Sequence, residues 1–299
     1  MAQLRFRERL NFSRLPKDWR VSNVSVDWAG NPLVLIEEGK PPYPTDHNAV
    51  DARIKWLATP PKTRHLIFWD GASERTLTFE NSARVLTHHI QPVGEGWLLA
   101  DARGGRADIY DGAGHVLGAL DLGDASEDLQ TTPGGKMWVS YFDEGVFGSG
   151  IGQQGLVCFD ASGNVMFGYV DFAKQNGLPG IDDCYAMNVA GENEVWLSYY
   201  TDFPLICIRD FALHRSWLEF GCMQKAFGIF EGSVIFPKCY TRIHGEASQL
   251  VRRTLSQPSQ TEAVQAIDDT GKAIGGLYSA AARGSHFFLV TEEGLYELR

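Results

Sequence analysis

The sequence predicts an all-β, six-bladed β-propeller with four-stranded antiparallel blades, closed by the N-terminal strand pairing into the last blade. Three observations predict it. A strand, a glycine-containing turn and a second strand recur along the chain; a second hairpin turning on an aspartate follows most copies; and the last copy is one strand short. The first unit runs from Ser25 to Gly39. It returns at Gln91–Asp101, Gln130–Gly145, Met187–Tyr200, Phe227–Phe236 and Ala280–Gly294. Trp97, Trp138 and Trp196 hold the same place in their copies, as do the acidic pairs Glu37-Glu38, Asp143-Glu144 and Glu292-Glu293.

The second hairpins turn at Asp70, Asp111, Asp160 and Asp210. Aspartate suits such a turn because its carboxylate accepts from backbone N–H groups just downstream. The glycines beside it supply positive φ. Six copies of such a four-stranded unit have the sequence form of propeller blades. The sixth ends at Gly294–Arg299, a third strand. Leu4–Phe12 is expected to supply the missing fourth, which would leave no unpaired edge at the seam. Residues 1–299 then form a single domain, because a blade has little core of its own. The one helix expected is short, near Asp171–Gln175, ahead of Asn176-Gly177.

Composition narrows the function classes. Lys plus Arg number 27 and Asp plus Glu 37, a net charge of −10. That balance argues against a duplex nucleic-acid surface, which needs clustered positive charge. It also argues against adhesion to an anionic membrane. The N-terminus lacks the apolar core of a secretory signal, and no apolar run reaches the ~18–20 residues of a spanning helix. Five cysteines without a CxxC pair fit reduced thiols in a cytoplasm. Cys158 and Cys207 lie in apolar runs and read as small core hydrophobes.

With hairpins such as Thr132–Trp138 and Phe159–Val165, the chain resembles six-bladed propellers of the broad group that holds NHL-repeat and gluconolactonase-like proteins. The resemblance covers nearly the whole chain and speaks to fold more than to activity. The lactonase-like members imply one divalent cation held by Glu, Asn and Asp at the channel mouth. Glu37 or Glu38 stands for the Glu and Asp183 for the Asp. The third copy departs from the pattern, with Asp128-Leu129-Gln130 where an Asn belongs. The basic face of RNA-binding NHL propellers has no counterpart here.

In that geometry the starts of the inner strands and the ends of the second strands share one face. The starts carry Asn23, His88-His89, Glu127-Asp128, Asp182 to Tyr185, Gln224-Lys225 and Tyr278. The ends carry Glu37-Glu38, Asp101 to Arg103, Asp143-Glu144, Tyr199 to Asp202, Lys238 to Tyr240 and Glu292-Glu293. Insertions at Lys40–Thr63, Val146–Gln154 and Thr241–Ser248 fall on the same face, and loops on a rigid scaffold are the usual seat of function.

Three chemistries suit these residues. Glu37, Asp128 and Asp183 form a candidate metal site, with Ca²⁺ the most plausible ion because it takes many oxygen ligands. His88 or His89, with Asp183, is a candidate for proton transfer at neutral pH. Tyr141, Asp143, Glu144, Tyr185, Tyr199 and Tyr240 are candidate ligand-binding residues, offering amphipathic contacts beside charge. No Gly-x-Ser-x-Gly elbow supports a hydrolase triad. The reading is a cytoplasmic propeller that binds a small molecule or a protein at the acidic, tyrosine-rich mouth of its channel, with neither nucleic acid nor membrane as partner. The alternative is a metal-dependent hydrolase or lactonase at the same mouth, in which the cation polarises a carbonyl and activates water.

Overall fold

The computed structural model describes residues 2–38, 63–79, 88–221, 223, 225–238 and 249–299. Strand β1 (Ala2–Asn11) opens the chain. Blade one is β2 (Trp19–Val26), β3 (Pro32–Glu38), β4 (Arg64–Asp70) and β5 (Ser73–Phe79). Blade two is β6 (His88–Val93), β7 (Gly96–Asp101), β8 (Arg106–Tyr110) and β9 (Val116–Asp121). Blade three is β10 (Ser126–Thr131), β11 (Met137–Tyr141), β12 (Leu156–Phe159) and β13 (Val165–Gly168). Blade four is β14 (Asp183–Gly191), β15 (Glu194–Tyr200), β16 (Leu205–Arg209) and β17 (Ala212–Trp217). Blade five is β18 (Gly228–Phe230), β19 (Ser233–Pro237), β20 (Gln249–Thr254) and β21 (Thr261–Ile267). Blade six is β22 (Leu277–Arg283), β23 (His286–Thr291) and β24 (Gly294–Leu298), completed by β1.

The expected aspartate turns form at Asp111 and Asp160, while among the described residues the carboxyls of Asp70 and Asp210 accept no such backbone bonds. Asp160 accepts from the backbone N–H of Ser162 and Asn164, Asp111 from Ala113 and His115, and Asp268 from Thr270 and Lys272. Asp27 makes the same pair of bonds to Ala29 and Asn31 in the inner hairpin of blade one. The His115 backbone bond to Asp111, and the side-chain bonds of Asn164 to Asp160 and of Thr270 to Asp268 ahead of the backbone bonds, hold these carboxyls below the ordinary carboxylate range. The expected helix spans Tyr169–Asn176 and stops at Gly177, whose φ of 63° closes the last turn in the left-handed region.

The closing strand does more than the sequence predicts. Phe6–Asn11 pair antiparallel with β24, as expected. Ala2–Arg5 pair parallel with Val264–Ile267 of β21, the outer strand of blade five. One strand therefore joins two blades into an eight-stranded sheet. Phe6 and Leu10 face inward and are buried, while Arg7 and Arg9 converge on Glu297 at 2.5 and 2.9 Å.

Hydrophobic clusters fill the spaces between blades. Trp138 is 2% exposed and packs with Phe167 of its own blade and Phe211 of the next. Trp196, opposite Asn188 as Trp138 is opposite Gln130, stacks on Trp217. Cys158, Cys184 and Cys207 are buried and unpaired.

Removing residues 2–11 is expected to abolish cooperative folding or lower the melting temperature severely, because blade six loses its fourth strand and blade five the strand paired to its outer edge. Phe6→Ala and Trp138→Ala are each expected to cost about 3–5 kcal/mol as large core truncations. Urea denaturation followed by tryptophan fluorescence for the first variant, and by circular dichroism for the second, checks both values.

Candidate functional site

The inner strands meet at the axis, and polar side chains fill it. Gln130 from blade three donates to the Ala282 carbonyl of blade six at 3.3 Å and to Met187 of blade four at 3.4 Å, and it accepts from the Val189 N–H at 2.9 Å. Asn188 of blade four donates to Phe227 of blade five at 2.6 Å and exchanges bonds with Gly284 of blade six. Gln91 of blade two donates to the Val26 carbonyl of blade one and accepts from the Thr131 N–H of blade three. Arg283, 4% exposed, reaches from blade six to the Thr131 carbonyl at 2.5 Å and to Gln91 at 3.4 Å. Burial brings its guanidinium down to about 10, so it stays charged near neutrality. Buried polar groups such as these are costly unless they are bonded, so this network holds the blades in register.

Above this floor lies a cavity of about 590 Å³. Its wall takes Asn23 from β2, His89 from β6, Asp128 from β10, Asp183 and Tyr185 from β14, and Lys225 from the approach to β18. The sixth side is β22, whose Ser279-Ala280-Ala281-Ala282 contributes almost no bulk and so leaves the space open. The run of small residues is the signal that sequence reasoning passed over. Gln130 contributes to the wall and also donates to Asp128 at 3.0 Å, tying the axial network to the cavity.

The charges at the mouth are unevenly satisfied. Lys225 binds Glu127 at 2.6 Å, and Arg103 binds Glu144 while lying 4.6 Å from the centre of the Phe142 ring. Asp128 accepts from the Leu129 N–H and from Gln130. Burial nevertheless pushes its carboxyl up to about 6. Asp183 makes neither a hydrogen bond nor an ion pair among the described residues; burial first, then the nearby charges of Glu127 and Asp143, push it up to about 6. His89 is 6% exposed. Its Nε2 lies 3.4 Å from the Ser126 carbonyl, which can only accept, so this nitrogen carries the proton. Burial lowers its pKa, against the pull of Ser126 and Glu127, and the ring is neutral at neutral pH.

Of the residues the sequence nominated, the structure brings His89, Asp128, Asp183 and Tyr185 to one cavity. Asp143 and Glu144 lie on an exposed one-turn helix, Asp143–Val146, at the rim. Tyr141 and Tyr199, nominated as ligand-binding groups, do not line this cavity. Both are fully buried: the Tyr141 hydroxyl donates to the Leu122 carbonyl, and that of Tyr199 is bonded to Tyr169 at 2.6 Å and Pro179 at 3.0 Å. Strand alternation turned both rings between blades instead of toward the axis.

The metal set Glu37, Asp128 and Asp183 does not assemble. Glu37 is buried between Arg20, at 2.5 Å, and Arg64, at 3.0 Å, away from the cavity wall. Among the described residues, no three His, Cys, Asp or Glu side chains group to hold a metal ion. Tyr240, the side chain of His88, all of the Lys40–Thr63 insertion but Thr63, and the whole Thr241–Ser248 insertion lie outside the described residues.

The raised carboxyls make a pH prediction with a definite sign. A carboxyl that is less acidic folded than unfolded holds its proton more tightly in the native state. Its contribution to stability is complete below the unfolded pKa, about 3.9, and is lost as pH rises through about 6. Asp128→Asn and Asp183→Asn are therefore expected to raise the melting temperature over wild type at pH 7.5, with the difference shrinking toward zero at pH 4. Calorimetric melts of the three proteins across that range check this.

Comparison with known proteins supports the fold and no activity. The model of a family described as the YxzG family matches residues 156–298. No curated protein matches. Virginiamycin B lyase from Staphylococcus aureus is similar in structure, with a TM-score of 0.53 at 10% identity over 99% of each chain. Hsv2 of Kluyveromyces lactis gives 0.49 at 8% identity, covering 92% of this chain and 72% of that one. A chain of a nidogen/laminin complex gives 0.46 at 6% identity, covering 77% and 82%. The chain is a six-bladed β-propeller, and at these identities the likeness to solved structures is one of fold alone.

Proposed function

We propose that the protein binds a small polar molecule in the channel mouth. The observation that carries this reading is a concave cavity of about 590 Å³ with ionisable side chains from four blades on its wall. That volume lies in the ordinary range for small-ligand pockets, about 300–1,000 Å³, where a few polar groups fix orientation. A protein partner would more naturally use a broad, flat surface than this concave mouth.

Kinship with NHL-repeat and gluconolactonase-like propellers belongs to the same proposal, supported by the shared blade hairpins. So does a reducing, cytoplasmic location, supported by the buried unpaired thiols of Cys158, Cys184 and Cys207. The acidic composition supports a ligand other than nucleic acid or membrane. The structurally similar virginiamycin B lyase is an enzyme, and at 10% identity we carry no reaction from it to this chain. The divalent-metal hydrolase reading loses support, because Glu37 is held by two arginines.

The test is a melting screen of the full chain against small polar metabolites of all charge types. A ligand at 100 times its Kd stabilises by about 2.7 kcal/mol, enough to read as a shift. At least one class is expected to raise the melting temperature. The shift is expected to vanish in Ser279→Phe, which fills the mouth from the blade-six side. A shift that survives Ser279→Phe, or no shift with any class, contradicts the proposal.

A further inference from the structure

We infer that the mouth is built for a ligand carrying a protonated amine, a cation with N–H donors of its own. This rests on the small-molecule reading above and deepens it. Three acceptors on the cavity wall lack a protein partner among the described residues. His89 commits its proton to Ser126, so Nδ1 offers a bare lone pair on a ring that is more than nine-tenths buried. The Oδ1 of Asn23 is buried with no hydrogen-bond partner among the described residues. Asp183 has a carboxylate with neither a hydrogen bond nor an ion pair among the described residues. These three come from blades one, two and four and line one cavity.

The cations at the mouth do not fill this need. Lys225 is drawn to Glu127 and Arg103 to Glu144. An unpaired buried acceptor is costly, and a ligand donor that reaches it removes the cost. Lys225 acts on Asp183 only through its field, so a neutral ligand leaves that carboxylate without a charge bonded to it. An anion meets Glu127, Asp128 and Asp183 together. A primary ammonium supplies three donors and one positive charge at once.

The wall beside Asp183 suits the same group. Tyr185 lines the cavity and is stacked on Phe203 with ring centres 5.7 Å apart, and Phe203 meets Tyr200 edge-on at the same distance. An ammonium over a tyrosine face gains from the ring quadrupole. Donor recognition also separates cations from one another. A site that hydrogen-bonds an N–H rejects analogues lacking it far better than an apolar pocket rejects a change of size. The geometry therefore favours a primary ammonium over a quaternary one of equal charge.

Four probes with one ring separate these terms: benzylammonium, benzyltrimethylammonium, benzyl alcohol and benzoate, each titrated calorimetrically into the full chain at pH 7.5. Benzylammonium is expected to bind at least about tenfold more tightly than the other three, the worth of one charge-assisted hydrogen bond. Asp183→Asn is expected to weaken it by about tenfold while its own melting temperature stays at or above wild type, which separates lost recognition from lost folding. Equal binding of the two cations, or a preference for benzyl alcohol or benzoate, overturns the inference. If that binding also disappears in Ser279→Phe, the mouth remains a small-molecule site and the acceptor argument alone has failed. Binding of none of the four overturns the inference as well, and a null result in the wider melting screen is what would also remove the reading beneath it.

Discussion

The axial hydrogen-bond network is the constraint on which the rest of the structure depends. Each blade is a small twisted sheet with little core of its own, and six of them must meet at a common line. Apolar side chains alone would leave inner-strand carbonyls and N–H groups of neighbouring blades without partners, and buried groups in that state are expensive. Gln130, Asn188 and Gln91 solve this with amides that donate to one blade and accept from another. Arg283 spans from the last blade to the second and third. The seam made by β1 complements this closure on the outside, where the strand lies between β21 and β24.

The site follows from where that network stops. Below, Gln130 and its partners close the channel; above, the inner strands carry short or polar side chains and the wall opens. Blade six supplies the room because Ser279 to Ala282 are small. Gln130 belongs to both regions, since the amide that bonds to Ala282 also donates to Asp128. Disturbing the floor therefore disturbs the wall. The carboxyls of Asp128 and Asp183 sit where ionisation is penalised. A fold does not need such groups for its own stability, and strained electrostatics in a cavity is a mark of function.

Much of the fold was legible in the sequence because its determinants are local and repeated. Aspartate turns, glycine turns and the Trp138/Trp196 register all write their period along the chain. The parallel pairing of Ala2–Arg5 with β21 was not legible, since nothing local distinguishes those residues from the remainder of β1. The second hairpin of blade five, β20 with β21, escaped notice because it lacks the aspartate turn of the other blades. At the site, reading the inner-strand starts as one face picked out His89, Asp128, Asp183 and Tyr185, which line one cavity. What sequence could not resolve was the direction of each side chain. One step along a strand separates a mouth residue from an inter-blade one, as with Asp183 and the buried Cys184, and Tyr141 and Tyr199 fell on the buried side. The arginine clamp on Glu37 joins Arg20 and Arg64 across three strands and leaves no mark in local spacing.

The central claim is that the mouth presents unsatisfied acceptors above a closed polar axis, and the state of His89 tests it most directly. Long-range ¹H–¹⁵N correlation spectra of histidine-labelled protein, with His89 assigned by its loss in His89→Gln, report the tautomer and charge of that ring. A neutral imidazole protonated on Nε2, with a free lone pair on Nδ1, is expected at pH 7.5 and above. A proton on Nδ1, or an imidazolium in that range, would contradict the claim, because the mouth would then present a donor where the account places an acceptor.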